Sequence, residues 1–202
     1  MTPRRSGKRK TFKAKPSRSK KLPLAIGLVT VIVVVIAAFY VFGMNSTPAG
    51  TKVLLKTSRG DITIQLRDDR PITTSNFKNL VQRGVYDGTI FHRVIPGSFI
   101  QGGDPTGTGY GDPSIPTIQD ELDGVNENKY GTVAMANTGQ PNTGSSQFFI
   151  NLADNNHLDD KHSVFGTVIA GMNVVYEISQ MATDANDRPL LDVTLIDAEI
   201  IG

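Results

Sequence analysis

The chain has 202 residues, of which 39% are apolar and 20% are charged, and it contains no cysteine. This length allows one globular domain of ordinary size with room for an appendage. The lack of cysteine excludes disulfides, thiolate catalysis and cysteine-based zinc sites, but it leaves the redox compartment open.

Charge is distributed unevenly along the chain. Residues 1–21 carry ten Lys or Arg and no acid, and residues 22–44 carry no charge. The rest of the chain therefore holds 11 basic and 19 acidic residues, a net charge of −8. An acidic surface repels phosphate and lacks a basic stripe, so we expect no nucleic-acid partner.

The first 44 residues predict a membrane anchor. Residues 1–21 are rich in Lys, Arg, Ser, Thr and Pro, which predicts a disordered tail. Residues 22–44 can cross about 30 Å of hydrocarbon as one helix. The basic flank predicts a single-pass protein of the cell membrane, with the tail in the cytosol and the later residues outside.

Two other interpretations of residues 22–44 stay open. One is a cleaved signal peptide, although the run exceeds the usual length of an apolar signal core and no clear cleavage site follows. The other is a buried core helix, although an apolar run of this length without an amphipathic break is unusual in a small domain.

After a short linker at 45–51, the folded domain is predicted to span residues 52–202. Apolar residues at helical spacing predict helices over 72–83 and 172–181. Short runs bounded by turn residues predict eight strands, the first two joined as a hairpin. The strands are predicted at 52–56, 61–66, 89–94, 98–101, 132–136, 147–151, 163–169 and 191–200. Many strands and two helices indicate a closed sheet capped by helices.

Two stretches carry the candidate binding residues. They are residues 91–111, FHRVIPGSFIQGGDPTGTGYG, and residues 135–151, MANTGQPNTGSSQFFIN. Together they offer aromatic carbon, three uncharged amides and one fixed cation. Such a lining suits a neutral, partly apolar, peptide-like ligand, because amides can pair with peptide groups. The residues are Phe99 and Phe149, Gln101, Asn137 and Gln147, and Arg93.

Side-chain alternation along a strand predicts which of these residues share a face. Phe91 and Arg93 are expected on one face of their strand. Gln147 and Phe149 are expected together on another strand, with Phe148 on the opposite side.

Other catalytic motifs are missing from the sequence. The three histidines, His92, His157 and His162, lack the spacing of a metal site. Neither a serine-hydrolase elbow nor a phosphate-binding loop is present, so the glycines between residues 102 and 111 are interpreted as tight turns. We expect no metal and no cofactor.

Three motifs together resemble the cyclophilin family of peptidyl-prolyl cis-trans isomerases. They are FHRVIPGSFIQGGD, MANTGQPNTGSSQFFINL and LDDKHSVFGTVIAGMNVV, in the order and spacing of that family. The likeness covers about residues 52–202. It implies a mainly β fold, an eight-stranded antiparallel closed β-barrel capped by two α-helices, with the substrate groove on its outer face.

The resemblance also implies roles for particular residues. The protein is expected to accelerate rotation about X-Pro peptide bonds in folding proteins. Arg93 is the expected catalytic residue. We expect the protein to act as a monomer on proline-containing polypeptides. The residues expected to bind substrate are His92, Phe99, Gln101, Ala136, Asn137, Gln147, Phe149, Leu158 and His162.

Two positions depart from the family pattern. Ser98 and Phe99 stand where an aromatic residue and Met are common, which puts the shape of the proline pocket in question. His157 stands where cyclosporin-sensitive members carry Trp, which predicts weak cyclosporin binding. The altered wall keeps an alternative open, a tethered chaperone that binds proline segments with little turnover.

Overall fold

A computed structural model of the chain describes residues 50–202. The predicted tail at 1–21, the predicted membrane helix at 22–44 and most of the linker lie outside the described residues. Neither α-helix within residues 50–202 has the length and apolarity needed to cross a lipid bilayer.

The described residues form nine β-strands, two α-helices and one short 3₁₀ turn at Asn156–Leu158. The helices are α1 (Pro71–Gln82) and α2 (Met172–Ser179). The strands are β1 (Lys52–Thr57), β2 (Gly60–Leu66), β3 (Thr89–Ile90), β4 (Arg93–Ile95), β5 (Phe99–Gly102), β6 (Thr132–Met135), β7 (Phe148–Asn151), β8 (Val164–Ala170) and β9 (Thr194–Ile200).

The nine strands build one antiparallel sheet in the order β3-β9-β1-β2-β8-β6-β7-β5-β4. Its two edge strands, β3 and β4, follow each other along the chain. Ile90 and Arg93 therefore stand at most about 11 Å apart, given 3.8 Å between successive Cα atoms. The sheet must curl until its edges come close, and a bridge joins Ile90 in β3 to Asp104, two residues after β5.

The expected eight-stranded closed barrel is corrected in one respect. The predicted strand at 89–94 is divided at Phe91 and His92, so nine strands form a curled sheet without a ladder between β3 and β4. The same break makes one prediction wrong, namely that Phe91 and Arg93 lie on the same face of one strand. Phe91 is fully buried in the main core, whereas Arg93 is exposed.

Both helices are confirmed and close the curled sheet. Helix α1 begins at Pro71. Proline is tolerated there because the first N–H of a helix has no partner within the helix. The helix lies against β8 and β9. Helix α2 buries Val175 and Ile178 and contacts β2 together with β4 and β5. Because these strands are distant in the sheet order, α2 crosses an end of the curled sheet.

An aromatic cluster fills the main core inside the sheet. The ring centroid of Phe77 lies 5.0 Å from Tyr86, 5.0 Å from Phe165 and 5.5 Å from Phe148. Tyr86 also donates its hydroxyl proton to the Ser146 carbonyl at 3.0 Å, so its one polar atom is satisfied. This cluster ties α1 to the strands that carry the site described below.

Helix α1 is capped by a side chain from a distant loop. The Glu121 carboxylate accepts the backbone N–H of Ile72 at 3.0 Å, the N–H of Thr73 at 2.8 Å and the Thr73 hydroxyl at 2.7 Å. The helix has no side-chain cap of its own at Arg70. Glu121 therefore satisfies N–H groups that the first helical turn leaves without partners.

We expect Glu121→Ala to lower the free energy of unfolding by about 2–3 kcal/mol, because three donors, two of them buried, lose their acceptor. Urea unfolding measures this loss. The matched control is Glu127→Ala, which removes an exposed carboxylate paired only with Lys129 and changes stability by less than about 0.5 kcal/mol. Equal effects of the two substitutions would contradict the capping role.

Candidate active site

A second apolar cluster lies outside the main core. Phe149 is 3% exposed and packs with Ala136 and with the partly buried Phe99 and Leu158. The ring centroids of Phe99 and Phe149 are 5.3 Å apart. We call this cluster the outer patch. Its members are Phe99, Ala134, Ala136, Phe149, Leu158 and Val164.

Strand β7 supplies both clusters. Phe148 lies in the main core and Phe149 in the outer patch, so the predicted alternation is confirmed. Gln147 precedes β7 and stands on the same side as Phe149, as predicted, where it lines a surface cavity.

Arg93 lies at the rim of the outer patch. It pairs across the β4–β5 ladder with Gln101, and its guanidinium carbon is 5.3 Å from the ring centroid of Phe99. Its Nε donates to an Asp187 carboxylate oxygen at 3.4 Å, and both side chains are 45% exposed. The Val94 N–H bonds the Asp187 carbonyl at 2.8 Å, so the backbone places this partner beside Arg93.

The amides predicted to meet a ligand are themselves linked. Gln101 Nε2 donates to Gln147 Oε1 at 2.8 Å, and Gln147 Nε2 donates to the Gly109 carbonyl at 2.9 Å. Asn137 Nδ2 donates to the Lys161 carbonyl at 2.7 Å. These bonds fix the amides in place, so the ligand would meet a preformed polar edge.

His162 borders the patch and is held in one tautomer. Its ring meets Phe149 edge to face with centroids 5.2 Å apart, and Nδ1 lies 3.0 Å from the Met135 carbonyl oxygen. Because a carbonyl only accepts, Nδ1 carries the proton in the neutral ring. Burial lowers the pKa of His162, which favours this neutral form.

His92, expected among the substrate contacts, is largely buried. It is 7% exposed, and neither ring nitrogen has a hydrogen-bond partner among residues 50–202. Burial lowers the pKa of His92, which favours the neutral ring. Only a small part of His92 reaches the surface, where it borders one of the two cavities described below.

Ser98, one of the residues that depart from the family pattern, is bonded to Asn155. Its hydroxyl donates to Asn155 Oδ1 at 3.3 Å, and Asn155 Nδ2 donates to the Ser98 carbonyl at 3.0 Å. These bonds tie β5 to the 3₁₀ turn that carries Leu158. Phe99 supplies the aromatic wall of the outer patch. The bonds between Ser98 and Asn155 hold the 3₁₀ turn in place.

Two cavities open beside this surface. The first, of about 570 Å³, is bordered by Gln101, Ala136, Asn137 and Gln147. The second, of about 510 Å³, is bordered by His92, Arg93 and Gln101. Sequence reasoning missed Tyr110, which lines both cavities, although an aromatic residue between two glycines in the site stretch was a usable signal. Within residues 50–202 no cluster of acidic and histidine side chains could hold a metal ion.

A curled antiparallel sheet with an outer aromatic patch, an amide edge and one guanidinium defines a peptide-binding class of protein. Comparison with known proteins identifies the family. The sequence model of the "Cyclophilin type peptidyl-prolyl cis-trans isomerase/CLD" family matches residues 52–200. The chain belongs to this family and is a cyclophilin-type peptidyl-prolyl cis-trans isomerase.

Individual relatives agree with this assignment. The chain is 43% identical over 155 residues to peptidyl-prolyl cis-trans isomerase-like 1 of Gibberella zeae, covering 75% of this chain and 95% of the relative. It is 47% identical over 150 residues to a peptidyl-prolyl cis-trans isomerase of Schizosaccharomyces pombe, covering 72% and 96%. A crystal structure of a Cryptosporidium parvum cyclophilin-type isomerase superposes with a TM-score of 0.71 at 32% identity, covering 75% and 98%.

His92, which is buried, and His162, which is partly buried, predict how stability depends on pH. Their pKa values lie below the ordinary value of about 6.5, so the unfolded chain binds more protons as the pH falls through 6.5. The free energy of unfolding is then highest above pH 6.5 and declines between pH 6.5 and 5.5, by at most about 1.4 kcal/mol per pH unit for each histidine.

Urea unfolding at pH 7.5 and 5.5 measures this decline. His162→Gln removes one titrating ring and should make the decline shallower. His157→Gln removes an exposed histidine and serves as the control, with the decline of the wild type retained. A decline that is equally steep in His162→Gln and wild type would show that burial of His162 does not contribute.

Proposed function

We propose that Arg93 is the catalytic residue and that the outer patch holds the proline ring of the substrate. The observation that carries this proposal is the position of the guanidinium, at the rim of the patch and 5.3 Å from the Phe99 ring. Phe99, Phe149 and Leu158 offer apolar contact to a pyrrolidine ring. The linked amides of Gln101 and Gln147, together with Ala136 and Asn137, border the groove where the flanking peptide would lie.

The reaction is rotation about the X-Pro amide bond, and no covalent bond breaks. Resonance sets a barrier of about 18–20 kcal/mol, so unaided rotation takes about 10–100 s. In the twisted transition state the amide nitrogen becomes pyramidal and gains a lone pair. A donor aimed at this nitrogen stabilises the transition state more than either planar ground state.

Arg93 suits this task because its guanidinium stays charged and offers several N–H donors. Among residues 50–202, the one hydrogen bond from the Arg93 side chain uses Nε. The terminal nitrogens can therefore face the substrate while Nε keeps its contact with Asp187. The planar group also rests on Phe99, which limits its rotation before the substrate arrives.

We expect Arg93→Ala to lower kcat/KM at least tenfold, a loss of about 1.4 kcal/mol of transition-state stabilisation, with the stability of the fold retained. Exchange between cis and trans forms of an X-Pro peptide, followed by NMR without a coupled protease, measures this effect. Arg59→Ala removes an exposed cation in the β1–β2 turn and should keep wild-type activity.

The same variant separates the isomerase from the alternative, a chaperone that binds proline segments with little turnover. Peptide binding that survives Arg93→Ala while isomerisation disappears supports the catalytic role. Wild-type protein that binds the peptide but leaves its exchange rate unchanged would support the binding role. Wild-type activity in Arg93→Ala would remove Arg93 from the mechanism.

We also propose that residues 22–44 anchor the enzyme in the cell membrane, so that it acts on proteins that fold outside. Support comes from the sequence, since this run is uncharged and follows ten basic residues in 1–21. We also expect the protein to be a monomer.

We expect the full chain to stay with the membrane fraction after alkaline carbonate extraction. The control variant carries both Val33→Arg and Val34→Arg, each of which opposes insertion by about 2.5–3.5 kcal/mol at the middle of a span. Immunoblotting of the fractions should find this variant released. A full chain that is extracted as readily as the control would contradict the anchor, and protease access to intact cells tests its orientation.

A further inference from the structure

Tyr110 is an exposed aromatic side chain at the junction of the two cavities. It is 94% exposed, whereas the next most exposed large apolar side chains among residues 50–202, Leu190 and Leu191, are 66% exposed. Its residue borders both the first and the second cavity. Gln101 also borders both cavities.

Bonds to a buried carboxylate hold the backbone on either side of the ring. Gly109 and Gly111 both donate their N–H to Asp104 Oδ2, at 2.6 Å and 3.2 Å. Their φ angles of 86° and 81° suit glycine, which has no Cβ. Because both neighbours are drawn towards the fully buried Asp104, the side chain between them is directed outwards.

Further bonds fasten this loop at Tyr110 itself and at the candidate active site. The Tyr110 N–H donates to Thr108 Oγ1 at 3.2 Å. The Gly109 carbonyl accepts from Gln147, which in turn accepts from Gln101. The position of Tyr110 is thus coupled to the two amides at the polar edge, and the backbone that carries its ring is fixed relative to the groove.

Tyr110 is 94% exposed, so the fold itself leaves its ring uncovered. Burial of this ring therefore requires a second molecule. An aromatic ring offers large contact area with few rotatable bonds, so little entropy is lost when a ligand packs on it. A large apolar side chain on the substrate can pack on the ring, because the groove beside it already holds the peptide backbone in our mechanism.

We propose that Tyr110 determines substrate specificity by packing against an aromatic or large aliphatic side chain close to the proline in sequence. This inference rests on the proposed isomerase function of the same groove. Tyr110 takes no part in the rotation step, so it acts on substrate binding and raises kcat/KM for one class of substrates.

Hexapeptides with one central Ala-Pro bond and Ala elsewhere provide the test, with Phe or Leu placed in turn at each of the four outer positions. The full chain, in detergent throughout, is titrated with each peptide for Kd, and NMR exchange gives kcat/KM. We expect one or more substituted peptides to bind the wild type about tenfold more tightly than the all-Ala peptide. Tyr110→Ala should remove at least fivefold of this preference.

Tyr110→Phe is the matched control, because it keeps the ring and removes only the hydroxyl. It should retain the preference, and urea unfolding should find both variants as stable as the wild type. An unchanged preference in Tyr110→Ala, an equal loss for every peptide or the absence of any preference in the wild type would overturn the inference. A wild type that prefers the substituted peptides but does not accelerate exchange would instead contradict the isomerase mechanism and leave the role of Tyr110 standing.

Discussion

The alternation of side chains along β7 is the constraint on which both the core and the site depend. Phe148 packs against Phe77 and Tyr86 inside the curled sheet, and Phe149 packs against Phe99 outside it. A slip of one residue in the register of β7 would exchange the two faces and remove both clusters. The strands that enclose the core therefore also carry the outer patch, and the packing that stabilises the fold sets the geometry of the patch.

Buried polar side chains bond the backbone of the connection between β5 and β6, where sheet hydrogen bonds are missing. Residues 103–131, between β5 and β6, form a long connection with no helix or strand, and such connections need other partners for their backbone. Asp104 binds the N–H groups of Gly109 and Gly111, and Glu121 joins the connection to α1. Burial alone would raise the pKa of Asp104, but N–H and hydroxyl donors, Thr106 foremost, together hold it below its ordinary value. The carboxylate stays charged and fixes the loop at the border of both cavities.

Local sequence patterns predicted the helices and strands well, but they could not predict contacts between residues that lie far apart in the chain. The helices were predicted to within two residues at either end, since spacing and Pro71 are local signals. The division at Phe91 and His92 was missed, because sheet curvature breaks the alternation there. The three motifs supplied the residue roles by resemblance. No local pattern could show that Gln101 bonds Gln147, 46 residues away, or that Glu121 caps a helix 49 residues before it.

The charges around the outer patch agree with a reaction that moves no proton. Burial favours the neutral ring of His162, while the guanidinium of Arg93 remains charged at any working pH. Asp187 pairs with Arg93 at 3.4 Å, but both side chains are 45% exposed, so solvent weakens the pair and it offers little competition to a substrate. Its effect is on orientation. In the proposed mechanism, Nε is held by Asp187 and the plane rests on Phe99, so the guanidinium needs little reorganisation when the amide nitrogen becomes pyramidal. Preorganised donors of this kind are the ones that lower a barrier.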